Sequence, residues 1–182
     1  GKRVDLLVNN AGFGLFGNLW ETDLQEELEL LDVNIRALHI LTKLFVKEFR
    51  RRNSGILLNV ASSAGFLTGP LMASYYASKN YVVRLSLALA EELRRAGSSV
   101  SVSVLCPGPV DTNFNNRAGV SFHVQALDSK TVARYAIDGA LHGKTILVPG
   151  LLMKLSLFGA RLVPQKLLAA VTYHIQEQKQ KP

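Results

Sequence analysis

Val4-Asp5-Leu6-Leu7-Val8-Asn9-Asn10-Ala11-Gly12 decides the fold, because a short apolar run closed abruptly by Asn-Asn-Ala-Gly reads as a buried strand ending in a turn. Strands without polar alternation are covered on both faces and belong to parallel sheets. Working outward, Gly55-Ile56-Leu57-Leu58-Asn59-Val60 repeats the pattern and runs into a Gly/Ser/Pro loop that ends at Pro70. Val100-Ser101-Val102-Ser103-Val104-Leu105 is β-branched and alternating, and stops at Pro107-Gly108-Pro109. Thr145-Ile146-Leu147-Val148 is a fourth strand. Between the first two, Thr22-Asp23-Leu24-Gln25 has the form of a capping box, and Leu24, Leu28, Leu31, Ile35 and Leu38 recur at helical spacing until Asn53-Ser54-Gly55, as one bent helix or two. Residues 74–95 are helical with small and apolar residues nearly all round, which predicts burial on more than one side and a place at a subunit interface. Residues 129–141 form a shorter helix. Strands alternating with helices predict an α/β fold, a doubly wound parallel sheet covered on both faces.

The 182 residues are 48% hydrophobic and 19% charged, the composition of one ordinary globular domain with room for a sizeable core and no linker, repeat or low-complexity tract. A lone Cys106 forms no internal disulfide and the N-terminus carries no signal pattern, which predicts a reducing, cytoplasmic setting. No apolar run reaches the ~18 residues a membrane-spanning helix requires. The net charge of +7 is concentrated at the end, residues 151–182 holding +4 of it. Arg50-Arg51-Arg52 ends a helical stretch, where cations complement the helix dipole, so no nucleic-acid partner is expected. His39, His123, His142 and His174 lack ligand spacing, so no metal is expected either. A start at Gly1, just ahead of a strand, reads as a fragment of a longer chain.

Gly12-Phe13-Gly14-Leu15-Phe16-Gly17 matches G-x-G-x-x-G literally, with Asp32 near the acidic position. A dinucleotide fingerprint needs its third glycine in the first turn of a helix and its acid at the end of the next strand. Here the cap comes later, at Thr22, and Asp32 lies inside a helical repeat, so the segment reads as a loop that borders a ligand at most. The stronger signal is a constellation just beyond strand ends: Asn34, Ser62, Tyr75, Lys79 and Pro107-Gly108. Tyr75 and Lys79 are one helical turn apart and share a face. An ammonium near a phenol stabilises the phenolate and makes tyrosine a usable acid or base, and a serine hydroxyl beside it can polarise a carbonyl oxygen. Cys106, at a strand end before Pro107, reads as a small buried residue, and the absence of G-x-S-x-G counts against a serine hydrolase.

Together these segments resemble the short-chain dehydrogenase/reductase family. Asn9-Asn10-Ala11-Gly12 looks like its Asn-Asn-Ala-Gly turn, Val33-Asn34 like its active-site Asn segment, and Asn59-Val60-Ala61-Ser62-Ser63-Ala64-Gly65 like its Ser-bearing strand end. Tyr75-Tyr76-Ala77-Ser78-Lys79 is similar to Y-x-x-x-K, and Pro107-Gly108-Pro109-Val110-Asp111-Thr112 to P-G-x-V-x-T. The family's spacing, thirteen residues before Tyr75, selects Ser62 over Ser63, and only Tyr75 has a lysine four residues on, so Ser63 and Tyr76 are read as structural neighbours. The departure is at the start: the family's opening T-G-x-x-x-G-x-G turn, its helix and two further strands have no counterpart here. The resemblance therefore implies the C-terminal two-thirds of a Rossmann-like domain, spanning 1–182, that binds cofactor poorly on its own.

By the resemblance, Ser62 binds the substrate carbonyl, Tyr75 is the proton donor, Lys79 lowers the Tyr75 pKa and binds the nicotinamide ribose, and Asn34 holds a water linking Lys79 to solvent. Asn9, Ala11, Gly12, Tyr75, Lys79, Pro107, Gly108, Val110 and Thr112 are implied to contact the cofactor, NADP in preference to NAD. Phe66, Leu67, Leu71, Met72, Phe114, Phe122 and Met153 either surround a small hydrophobic carbonyl or alcohol substrate or belong to the core. Residues 151–175 form an apolar, basic tail that is a substrate cap in preference to a membrane-surface helix, and 176–182 read as frayed. A homodimer or homotetramer is expected through the helices around 24–50 and 74–95. The alternative from another class is a truncated, non-catalytic dimerisation or binding module.

Overall fold

The computed structural model describes residues 3–112 and 126–178. β1 (Leu6–Asn9), β2 (Ile56–Val60), β3 (Ser101–Leu105) and β4 (Ile146–Leu147) form one parallel sheet in that order. Leu6 lies opposite Ile56, Leu57 opposite Val102 and Leu105 opposite Leu147. The crossovers run through α1 (Leu24–Leu31) and α2 (Leu38–Arg51), then α3 (Ala73–Arg95), then α4 (Ser129–Leu141). Because successive strand residues face opposite ways, Leu57 packs with Phe49, Leu93, Val100 and Val102 beneath α2 and α3. Its neighbour Leu58 packs with Leu105, Val132, Ala136 and Leu147 beneath α4. The sheet is thus wound on both faces, as the alternation of elements predicts.

Three local expectations are corrected. The first helix is capped by Asp23, not Thr22: Asp23 is extended and its carboxylate accepts from the Glu26 N–H at 3.0 Å, which shifts the box by one residue. Thr22 instead turns its hydroxyl to the Glu27 carboxylate. β1 is only partly covered: Leu6 and Leu7 are half-buried and Val8 is 39% exposed, because β1 is the sheet edge among the described residues. Residues 176 and 177 are not frayed, since α6 runs Gln165–Glu177 and Gln176 is 1% exposed, while 179–182 lie outside the described residues.

The long stretch after Asp23 resolves into one continuous helical run in which α1 passes into α2 through a π-helical segment, Asp32–Ala37. Such segments recur at functional sites because the extra residue per turn redirects a side chain. Here the residue buried by it is Asn34. Across the core, the Asn9 amide donates to Asn59 Oδ1 at 2.8 Å and Thr42 Oγ1 at 3.2 Å, and Asn59 donates to Ser86 Oγ at 2.9 Å. These buried bonds tie β1, α2, β2 and α3 together, and they lose strength only as a set. α5 (Leu151–Ala160) and α6 complete the chain; Leu151, Leu152, Leu155 and Phe158 of α5 are exposed. Among the described residues no helix is long and apolar enough to cross a membrane.

Candidate active site

Strand pairing continues beyond the ends of β2 and β3: Ala61 N–H donates to Leu105 O and Ser63 N–H to Pro107 O, each at 2.8 Å. This sets Ser62 beside Pro107-Gly108. Ser62 is extended, and its hydroxyl accepts from the Ala64 N–H at 3.2 Å, capping the 3-10 turn Ser63–Phe66. The turn sits directly on α3, because a Cβ at Gly65 would lie 2.7 Å from the Lys79 carbonyl oxygen. The chain then enters α3 through Leu71, whose φ of 63° is left-handed and costs an L-residue roughly 1–2 kcal/mol. The Leu71 carbonyl accepts from the Gly17 N–H at 2.8 Å, which holds the loop after β1 against the start of α3.

This entry buries Met72 and Tyr75. Tyr75 is hydrogen-bonded to the Ser62 hydroxyl. One turn on, the Lys79 ammonium lies 5.8 Å from the Tyr75 ring centroid and donates to Val60 O at 3.1 Å. Behind them, Asn34 donates to Phe13 O at 2.9 Å and Ser78 Oγ at 3.0 Å while its Oδ1 accepts from Phe13 N–H at 3.1 Å. The carboxamide's donors are therefore spent on holding the loop after β1 to α3. The position a Cβ would take at Gly12 is 3.0 Å from Asn34 Oδ1 and 3.1 Å from Lys79 Nζ, so only glycine leaves that space clear.

A cavity of about 650 Å³ opens beyond the strand ends, in the size range of small-molecule sites. Of the residues singled out in the sequence, Gly12, Ser62, Tyr75, Lys79, Pro107, Gly108, Val110 and Thr112 line it together. Asn34 stands behind, reaching the wall through Phe13. Asn9 and Ala11 do not line it; the Asn9 side chain is committed to the core, and the cavity is faced by Asn10 instead. Strand alternation is the signal that separates these two adjacent residues. Ser63 and Tyr76, read as structural neighbours, also line the cavity, as does Gln176, which sequence reasoning missed. Of the apolar candidates Met72 lines it, while Phe66, Leu67 and Met153 pack against the core around Val82, Val83 and Cys106. Phe114 and Phe122 lie outside the described residues.

Burial dominates the electrostatics. It pushes the Tyr75 phenol up to about 12 against the opposing pull of the Ser62 hydrogen bond, and pulls the Lys79 ammonium down to about 8, the nearby Cys106 opposing. The lowering of the Tyr75 pKa that the resemblance implies is opposed by burial, which moves both groups toward their neutral forms. Burial also pushes Tyr76 and Cys106 up to about 12.

The profile of the short chain dehydrogenase family matches residues 1–120, and the chain belongs to that family. It is 30% identical over 174 residues to mouse estradiol 17-beta-dehydrogenase 11, covering 94% of this chain and 58% of the mouse protein. The chain spans about half the length of the curated relatives it matches. Among solved structures it superimposes on a short-chain dehydrogenase from Sphingobium yanoikuyae in complex with NADPH, with a TM-score of 0.77 and 26% identity over 89% of this chain and 65% of that one. A short-chain dehydrogenase/reductase from Burkholderia phymatum in complex with NAD gives 0.78 and 26% over 88% and 66%.

Proposed function

We propose that these residues form the catalytic part of an NAD(P)-dependent oxidoreductase acting on a hydrophobic ketone or secondary alcohol. The observation that carries the proposal is the Ser62–Tyr75 hydrogen bond with Lys79 one turn away inside a single cavity at the strand ends. The donor set fits the nicotinamide and ribose end of the cofactor: an ammonium at Lys79, the Asn10 amide, the Thr112 side chain and backbone beyond β3. No helix N-terminus follows β1 closely, since α1 starts at Leu24, so the Gly12–Gly17 loop does not supply a diphosphate cradle. Family structures carry NADPH in one case and NAD in another, and the proposal is accordingly NAD(P) without preference.

When bound, NAD(P)H supplies a hydride to the substrate carbon. In reduction the Ser62 hydroxyl donates a hydrogen bond to the carbonyl oxygen and the Tyr75 hydroxyl gives its proton to the alkoxide as it forms. In the proposal Lys79 holds the ribose and returns a proton to Tyr75, and Asn34 supports the Phe13 loop. Alcohol oxidation reverses each step. The apolar walls, the exposed apolar residues Ile40, Leu41 and Leu44 of α2, and the packing of Met153 against Gly108 support a hydrophobic substrate, self-association through α2 and a capping role for α5 respectively.

Ser62→Ala in the full-length protein is expected to lower kcat/KM for reduction of an apolar ketone by about 10²-fold, as loss of one donor at a developing oxyanion does. The check is NADPH or NADH consumption at saturating cofactor. An unchanged rate with Ser63→Ala inactive would move the assignment to Ser63.

A further inference from the structure

We infer that Gln176 is a second substrate anchor, which selects a ketone or alcohol carrying an additional hydroxyl group remote from the reacting carbon; this rests on reading the cavity as the substrate cleft. Gln176 lines the same cavity as Ser62 and Tyr75, although a hundred residues separate it from Tyr76. It is 1% exposed, and its Nε2 donates to the Tyr76 hydroxyl while Oε1 has no hydrogen-bond partner among the described residues. A buried carboxamide with one end unmatched is unfavourable unless something completes it. Gln176 is part of the cavity wall, which is where a ligand group would arrive.

The surroundings fix the amide rather than leave it free to turn away. The Tyr76 ring lies flat on Gly69, where a Cβ would come within 2.2 Å of the ring, and it stands edge-on to Tyr75 with centroids 6.0 Å apart. α6 is held along the same loop by Thr172, whose hydroxyl donates to Thr68 O at 2.6 Å, and by Gln165, whose Oε1 accepts from Thr68 Oγ1 at 3.2 Å. Tyr75, Tyr76 and Gln176 therefore form one fixed row from the proton donor to the amide. A hydroxyl is a matching ligand group, because its O–H donates to Oε1 while Nε2 keeps its bond to Tyr76. A purely aliphatic ketone would leave the amide unmatched, and sites with buried polar groups reject analogues that lack the partner.

The test uses matched ketone pairs from a bicyclic decalone series and a four-ring steroid series, each pair differing by one hydroxyl remote from the carbonyl. Ligand-induced thermal shift and NAD(P)H-dependent turnover are both read on the full-length protein. In the wild type the better-placed hydroxylated ketone is expected to half-saturate at about tenfold lower concentration than its deoxy partner. Gln176→Met, which keeps length and volume, removes that preference by weakening the hydroxylated member alone, raising its KM with kcat nearly unchanged. Tyr76→Phe keeps the ring on Gly69 but frees the amide and reduces the preference, which provides a second variant should the first not fold. No preference in the wild type for any hydroxylated member, or equal weakening of both members by Gln176→Met, overturns the assignment. Discrimination in thermal shift without turnover of any ketone sinks the oxidoreductase reading and leaves Gln176 as the ligand's anchor.

Discussion

Tyr75→Phe is expected to lower kcat for ketone reduction by about 10³-fold while the folded state survives at neutral pH. The ring is buried and packs edge-on with Tyr76, and phenylalanine preserves both its volume and that contact. What disappears is the hydroxyl proposed as the proton donor and the bond it shares with Ser62. The same variant has a signature at high pH. In the folded protein the Tyr75 phenol is pushed up to about 12, against about 10 for an exposed tyrosine, so between those values the native state holds a proton that the unfolded state has released. Stability of the wild type therefore falls as pH rises through this window, with Tyr76 and Cys106, also pushed up to about 12, adding to the slope. Lys79, pulled down to about 8, works the other way, adding stability as pH rises from there toward 10.5. Tyr75→Phe removes up to one proton from the alkaline slope, and urea midpoints from pH 9 to 11 read it directly. A variant with wild-type kcat would mean that Tyr75 is not the donor, and an unaltered alkaline slope that it is not the buried phenol described.

Gly65→Ala is expected to damage stability and catalysis together. The new methyl would come within 2.5 Å of Val83 Cγ2 and 2.7 Å of the Lys79 carbonyl oxygen. A side chain can swing aside; the backbone of α3 cannot, so the turn that carries Ser62 must lift away from the helix that carries Tyr75 and Lys79. Overpacking of this kind costs about 1–3 kcal/mol. Displacing one reacting group by even an ångström costs on the order of 10²-fold in rate. Gly159→Ala is the control: it lies in α5 with nothing within 4 Å of the added methyl, and it gains about 0.5–1 kcal/mol from helix preference. Denaturant midpoints and kcat on both variants separate the outcomes. Equal stability of Gly65→Ala and Gly159→Ala would show that the turn and α3 are not in the contact that positions Ser62.

Much of this arrangement was legible in the sequence because the chemistry sits where local patterns end. The apolar runs that close at Asn9, Val60 and Leu105 mark strand ends, and an open α/β sheet places its site there. Tyr75 and Lys79 declare themselves by helical spacing. Features set by distant partners were not legible. Periodicity shows Leu24 to Leu38 as helical but gives no sign of the π segment, within which Asn34 reaches the Phe13 backbone twenty-one residues away. Nor does a polar residue near the end of an amphipathic helix announce that it is buried against Tyr76; Gln176 is fixed by the loop at 67–70, which composition cannot place. Asn9 and Asn10 are neighbours in one recognisable turn, yet the Asn9 side chain bonds within the core while Asn10 lines the cavity. The electrostatics at Tyr75 follow the same rule: the lysine is visible in sequence, but the depth of burial is not.

The most direct test of the central claim is isotopic. The full-length protein is incubated with NADPH or NADH carrying deuterium at C4 and an apolar ketone, and the alcohol product is examined by mass spectrometry. Catalysis by Ser62, Tyr75 and Lys79 in this cavity predicts one deuterium on the carbinol carbon, from one face of the nicotinamide only, and labelled alcohol forming about 10³-fold more slowly with Tyr75→Phe. Unlabelled alcohol, or no alcohol with either cofactor across the ketone series, would contradict it and leave the chain as a binding module built on an oxidoreductase fold.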